Sequence, residues 1–236
     1  MANRVLSQVK ALYNWAIAED IVPVSPAARL KPAPETLGDR VLDDFELGQV
    51  WRACQLLDSA ADWEGAAVRR KHGDIVRLLM LTGQRLNEVA GMAWDFTAKT
   101  WTLPRERCKN GHAHVTPLSE PALAILAAKR AREEEGPLVF GVKGFSRAKK
   151  ELDAAARLDA PWCLHDLRRT AASGMARHGI PPHVVEAVLN HKSGTVKGVA
   201  AVYNRYSYAS EKREALRVWA EHVAQCGRNI IIARAA

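Results

Sequence analysis

Two arginines, two histidines and a tyrosine (Arg85, His165, Arg168, His191 and Tyr203) are the residues of this chain whose types suit chemistry at a phosphate. They stand in the segments TGQRLNEVAGMAW, LHDLRRTAAS, LNHKSG and AVYNRY. A phosphodiester under attack gathers extra negative charge on its non-bridging oxygens. A guanidinium binds two such oxygens with a planar fork and keeps its charge at any working pH. Two guanidiniums with two imidazole donors can supply the charge that many nucleases take from metal ions. His165 and Arg168 are three apart, so one helical face points both at one phosphate. Tyr203 offers a covalent nucleophile. A tyrosine hydroxyl has an ordinary pKa of about 10, so it must lose its proton in or near the transition state.

Each residue taken singly has a plainer reading. An arginine such as Arg85, just past a helix end, commonly caps carbonyls or meets a surface acid, and His165 and His191 could be structural histidines. Tyr206 and Tyr208 compete with Tyr203 for the role of nucleophile. His178, His183 and His191 are spaced by five and eight residues, which matches no common ligand motif. No paired-carboxylate metal site stands out, and the acidic run Glu133–Glu135 reads as a solvated helix end. The expectation is a site without metal or other cofactor.

The elements that must position these residues follow from periodicity and punctuation. Residues 3–18 read as an amphipathic helix on Val5, Leu6, Val9, Leu12, Trp15 and Ala16. Pro23, Pro26, Pro32 and Pro34 then mark a linker. Asp43 and Glu46 have capping-box spacing ahead of Leu47, Val50, Trp51, Cys54 and Leu57. A helix over about 65–82 stops at Gly83, and a short one follows at 85–92. Trp94, Phe96, Trp101 and Leu103, then Val115 and Leu118, flank Asn110-Gly111, which predicts a hairpin with its turn at that pair. Leu138–Phe140 suits a third small strand, and helices are predicted near 121–134, 145–157, 165–178, 181–190, 195–206 and 209–224. The fold class is mainly α with a small antiparallel β-sheet.

Composition agrees with a folded chain that has an anionic partner. Of 236 residues, 48% are hydrophobic, enough for a core, and the formal net charge is +8. That charge is spread along the sequence and suits nucleic acid. The four cysteines, Cys54, Cys108, Cys163 and Cys226, include no CxxC pair, which argues against a zinc ribbon or a dense disulfide framework. A reducing, cytoplasmic compartment is expected. No apolar run reaches the roughly 18 residues of a membrane span, and MANRVLSQVK lacks a signal-peptide core.

The same segments resemble the tyrosine recombinases of the phage-integrase type, over roughly residues 39–224. TGQRLNEVAGMAW is similar to the family's first catalytic arginine motif, HDLR to its HxxR motif and LNHKSG to its second histidine motif. The resemblance implies that Arg85, His165, Arg168 and His191 bind the scissile phosphate, with Glu88 as a supporting acid. The segment RERCKNGHAHVTPLS is similar to the family's β-hairpin, which places its catalytic lysine at Lys109, the proton donor to the departing 5′ oxygen. Arg105, Arg107 and Lys143 are the other cations that could reach DNA there. AVYNRY matches the nucleophile's context at Tyr203, while Tyr206 and Tyr208 read as packing or DNA-facing residues. The interval of twelve from His191 to Tyr203 is longer than is common, with SGTVKG taking up the excess.

Implied with these are the integrase catalytic-domain fold, a 3′-phosphotyrosyl intermediate, double-stranded DNA as partner, and a tetramer on paired recombination sites for integrating or excising a mobile element. The expected organisation is a last helix of a core-binding domain (1–22), a linker (23–38), a catalytic domain (39–225) and a tail (226–236). Only NRVLSQVKALYNWAIAEDIVPVSPA resembles the family's N-terminal part, so a fragment or truncated copy is expected. The stripe Leu216, Val218, Trp219, Val223 and the β-prone run Asn229–Ile232 are expected to dock on a neighbouring protomer, unless Trp219 completes the chain's own core. Alternatives are a type IB topoisomerase-like enzyme and a non-catalytic DNA-binding remnant.

Overall fold

The structure is a computed structural model describing residues 2–34, 38–58, 66–94, 96–97, 99–108, 111–132, 136–191 and 206–235. Lys109, Asn110 of the predicted turn, the acidic run Glu133–Glu135, Tyr203 and the predicted helix at 195–206, save its last residue, lie outside the described residues. The chain divides into two compact units, Met1–Gly38 and Asp39–Ala236.

The first unit is helix α1 (Ala2–Ala18) and a return segment. The proline-rich stretch runs back along α1. The Asn3 amide donates to the Ala33 carbonyl at 2.8 Å and accepts its N–H at 2.7 Å, while Lys10 donates to the Leu30 carbonyl at 2.7 Å. Val5, Leu12 and Trp15 remain exposed.

In the second unit the helices are α2 (Asp44–Asp58), α3 (Ala66–Thr82), α4 (Leu86–Ala90), α5 (Glu120–Arg132), α6 (Phe145–Ala156), α7 (Leu164–Arg177), α8 (Pro182–Val188) and α9 (Ala209–Ala235). Local chemistry sets where α2 begins. Asp43 accepts the Glu46 N–H at 2.8 Å, and Glu46 accepts the Asp43 N–H at 3.0 Å, the box that the sequence predicts. Helix α3 lies at the centre: Ile75, Leu78, Leu79, Met80 and Leu81 are each no more than 2% exposed. A helix with so many buried positions must be surrounded, and α2, α5, α6, α7 and α9 all pack on it. It stops at Gly83, whose φ of +65° is the left-handed conformation that glycine adopts without strain.

Helix α9 seals this core. Trp219 crosses Gly174 so closely that any Cβ there would collide with the indole, and its Nε1–H donates to the Met80 carbonyl at 2.7 Å. That carbonyl lies in the last turn of α3, where helical partners run out. The stripe on α9 therefore fills its own unit: Leu216, Trp219 and Val223 are no more than 1% exposed. This corrects the expectation of docking in trans for the stripe. Asn229–Ile232 is helical backbone rather than a β-prone run, because α9 continues through Ala235. Cys226 is buried, and a Cβ on Gly227 would collide with the Trp51 ring, so the start of the expected tail packs on α2.

The β part is a three-stranded antiparallel sheet in the order β1 (Phe96–Thr97), β2 (Thr100–Leu103), β3 (His114–Pro117). Trp101 pairs with Thr116 and Leu103 with His114. The predicted turn falls on Asn110, outside the described residues; β2 ends at Leu103 and β3 begins at His114, and between them lie a 3-10 turn at Arg105–Arg107 and Gly111 at φ +68°. Leu138 makes a single bridge to Ala93, so the third strand is Phe96–Thr97 and not Leu138–Phe140. Among the described residues, no helix is long and apolar enough to cross a membrane.

Candidate active site

Arg85 sits in extended backbone (φ −80°, ψ 146°) between the end of α3 and the start of α4. Glu88, one turn into α4 and 5% exposed, holds it twice. One carboxylate oxygen accepts the Arg85 backbone N–H at 3.0 Å, and the other accepts Nη1 at 2.9 Å. Arg85 thus meets an acid, the kind of contact that the plainer reading foresaw. An arginine has five N–H groups, so most of its fork is left for another acceptor.

At the other end of α4, Arg107 donates to the carbonyls of Asn87 at 3.2 Å, Glu88 at 3.3 Å and Gly91. The sequence reading offered Arg107 as a DNA-reaching cation; its guanidinium is instead spent on capping α4. Arg105 and Lys143 remain exposed.

Helix α7 carries the HDLR segment. Asp166 starts it by accepting the Cys163 N–H at 2.7 Å. His165 is exposed, whereas Arg168, one turn on, is 7% exposed. Arg168 spans two segments: Nη1 donates to the Gly83 carbonyl at 2.9 Å and Nη2 to the Leu189 carbonyl. It therefore ties the loop before Arg85 to the loop before His191. Gly83 makes this approach possible, since a Cβ there would come within 2.8 Å of Leu189 Cδ2.

Burial pushes the Arg168 guanidinium down to about 10, Arg85's charge pushes the same way, and Glu88 opposes. It stays charged at neutral pH, and two such cations side by side favour a bound anion. Burial, then Arg169 and Arg168, lower the pKa of His165, with Asp166 opposing. A neutral imidazole at that place can donate from one nitrogen and accept at the other.

His191 leaves the end of α8 exposed, its N–H donating to the Glu186 carbonyl at 3.0 Å. The structure thus joins the segments of Arg85, Glu88, His165, Arg168 and His191. Tyr206 and Tyr208 stand at the foot of α9. Their rings meet edge to face at 4.9 Å, Tyr208 also lies 5.2 Å from His183, and its carbonyl accepts the Lys212 N–H at 2.8 Å.

Three residues that sequence reasoning passed over lie beside this site. Gln84 is 2% exposed and donates from Nε2 to the carbonyls of Thr82 at 3.0 Å and Val188 at 2.8 Å. Lys212 is 7% exposed and donates to the Val115 carbonyl at 2.7 Å. His114 is 6% exposed, and its Nε2 lies 3.0 Å from the Val188 carbonyl. A carbonyl can only accept, so that nitrogen carries the proton. Strand register is the signal that could have found His114, because its partner Leu103 faces the core.

Burial, then the charge of Lys212, lower His114 to about 4; the Val188 bond opposes, and Arg168 and Arg85 add to the fall. An unfolded histidine takes its proton near pH 6.5 and the folded one resists until about 4. Stability is therefore full above about pH 6.5 and falls as the pH drops towards 4, by up to about 3 kcal/mol. Urea denaturation from pH 7 to 4 should show this loss, with the slope reduced by up to one proton in His114→Gln.

His178 and His183 do not form a cluster with His191: His178 stacks edge-on to His222 at 4.8 Å, and His183 faces Tyr208. Elsewhere Asp44, His222 and Cys226 bring an oxygen, a nitrogen and a sulfur within 4.8 Å of one another. Arg177 already supplies a cation there, donating to Asp44 at 2.6 Å with the same nitrogen 3.0 Å from His222 Nε2.

The fold, the paired arginines and the motif order point to one class, and comparison with known proteins agrees. A sequence profile described as the Phage integrase family matches residues 42–209, and the chain belongs to that family. It is 31% identical over 166 residues to Prophage integrase IntA of Escherichia coli (strain K12), covering 65% of this chain and 39% of that protein. The chain thus spans about two fifths of that relative's length. Among solved structures, a "lambda integrase(75-356) dimer bound to a COC' core site" matches with TM-score 0.60 and 21% identity, over 84% of this chain and 74% of the other. A lambda integrase tetramer bound to a Holliday junction matches with TM-score 0.59 and 18% identity, over 84% and 60%. At these identities the structural matches establish the fold.

Proposed function

We propose that this chain is the catalytic part of a site-specific DNA recombinase that integrates or excises a prophage or similar element. The observation that carries this is Arg168, a buried guanidinium that joins the Arg85 and His191 segments and lies beside a second cation. Such a place suits the phosphate of double-stranded DNA. The Tyr203 hydroxyl gives its proton to the neutral His165 imidazole as its oxygen attacks phosphorus, the bond from phosphorus to the 5′ oxygen breaks, and a 3′-phosphotyrosyl ester forms. Arg85, Arg168, His165 and His191 hold the charge that builds on the non-bridging oxygens. Lys109 gives a proton to the departing 5′ oxygen. Rejoining is the reverse, with a 5′-hydroxyl from the exchanged strand as attacker.

Strand exchange needs paired sites, so the assembly at work is a tetramer on DNA, in a bacterial cytoplasm. A tetramer on a Holliday junction in a relative of the same fold supports this reading over DNA relaxation of the type IB topoisomerase kind. A nicked suicide substrate tests the proposal: the protein should form a covalent adduct, and EDTA should leave its yield unchanged. A non-catalytic remnant gives none. Replacing the scissile 5′ oxygen by sulfur, which leaves without protonation, should restore cleavage by Lys109→Ala. Equal defects on the two substrates would move the proton donor elsewhere.

A further inference from the structure

We propose that Gln84 and His114 are positioning residues for His191, acting together through the carbonyl of Val188. This rests on the recombinase reading only for its catalytic readout. Among the described residues, the carbonyls at the end of α8 have identifiable donors. Those of Val185, Glu186 and Ala187 accept the N–H groups of Leu189 at 3.0 Å, His191 at 3.0 Å and Asn190 at 3.4 Å. Val188 is the next residue, and its carbonyl accepts two side-chain donors instead, Gln84 at 2.8 Å and His114 at 3.0 Å. One comes from the loop before α4 and the other from β3. Leu189 is then held by Arg168.

The plane of the peptide after Val188 is thereby fixed from two sides. Asn190 follows in the left-handed conformation (φ +49°), and His191 leaves from there. A free helix end would fray within its last turn; this one cannot rotate without breaking two buried bonds. The donors also come from the neighbourhoods of the other reacting groups. Gln84 precedes Arg85, and His114 lies on the strand that follows the loop of Lys109. One carbonyl thus joins the Arg85 segment and strand β3 to the turn that leads to His191.

The chemistry of each donor fits this use. Both neighbours of the Gln84 amide nitrogen are carbonyls, so its two N–H groups are spent there, while its buried oxygen has no hydrogen-bond partner among the described residues. Accepting an unsatisfied oxygen for the sake of two donors is a cost that packing alone does not require. His114 faces inward on β3 where the apolar Val115 faces out at 42% exposed.

The test uses His114→Met and Gln84→Met, which remove the donors but keep bulk, and His114→Gln, which keeps an N–H within reach of Val188. Each methionine variant should slow single-turnover cleavage of a suicide substrate on the order of ten- to a hundredfold, the scale expected when a reacting group is misplaced by about 1 Å. DNA affinity should be unchanged, and His114→Gln should recover most of the rate. In a His191→Ala background the methionine variants should cost little more, since their effect runs through that imidazole. A second readout needs no catalysis: NMR of the free protein should show the His191 ring signal broadened or split in both methionine variants, with that of His165 unmoved. Equal fold-losses with and without His191, or an unchanged His191 signal, would overturn the proposal. If His114→Met does not fold, Gln84→Met decides it alone. A perturbed His191 signal in a protein that never forms an adduct would support the clamp and count against the recombinase reading.

Discussion

Replacing Arg168 by alanine should cost cleavage and folding stability together, whereas the same change at Arg85 should cost mainly cleavage. In the proposed mechanism both guanidiniums are preorganised donors to the transition state, so each loss should slow single-turnover cleavage on the order of a hundredfold or more. Only Arg168 is also a strut. Its removal leaves the Gly83 and Leu189 carbonyls buried without their charged donor, a loss of about 3 kcal/mol by urea denaturation. Arg85 is a quarter exposed at its side chain, and Glu88 keeps the Arg85 backbone N–H when the side chain goes, so the stability loss should be about 1 kcal/mol. Arg168→Lys should rescue neither property well, because an ammonium cannot reach both carbonyls and still present a fork to phosphate. A stable, active Arg168→Ala would remove the residue from the centre of the site.

Tyr203→Phe should abolish the covalent adduct and leave DNA affinity nearly unchanged, since only the attacking hydroxyl is lost. Tyr206→Phe and Tyr208→Phe should keep it. Tyr206 is 59% exposed against the Tyr208 ring, and Tyr208 adopts a left-handed φ of 51° where α9 begins. Both belong to the start of that helix. An adduct formed by Tyr203→Phe would shift the nucleophile to one of them.

What could be read from the sequence was what is decided locally. The Asp43–Glu46 box and the stop at Gly83 involve residues within one turn of each other, so spacing suffices. What depends on the partner strand or helix was not visible. The sequence signals a hairpin between β2 and β3, but that the ladder ends at the pair Leu103 and His114 depends on register. The same register turns His114 and Thr116 inward and Val115 outward, against their hydrophobicity. Arg107 looks like a free cation in the sequence and becomes a cap only when the sheet brings it to α4. Isoleucines at 230–232 favour strand by propensity, yet α9 carries its helix through them. That Arg85 and Arg168 suit a phosphate is a reading of their chemistry alone, whereas the clamp that Arg168 makes between two loops was not legible, because its acceptors are backbone carbonyls that carry no sequence signal.

The central claim, a tyrosine ester formed in a site of paired arginines, is tested most directly by trapping the wild-type protein on a nicked suicide substrate, digesting the adduct and locating the nucleotide by mass spectrometry. The account predicts the 3′-phosphate esterified to Tyr203, a free 5′-hydroxyl on the released strand, and the same yield in EDTA. Attachment to any other residue, a 5′ linkage, or cleavage that needs a divalent metal and leaves no adduct would contradict it.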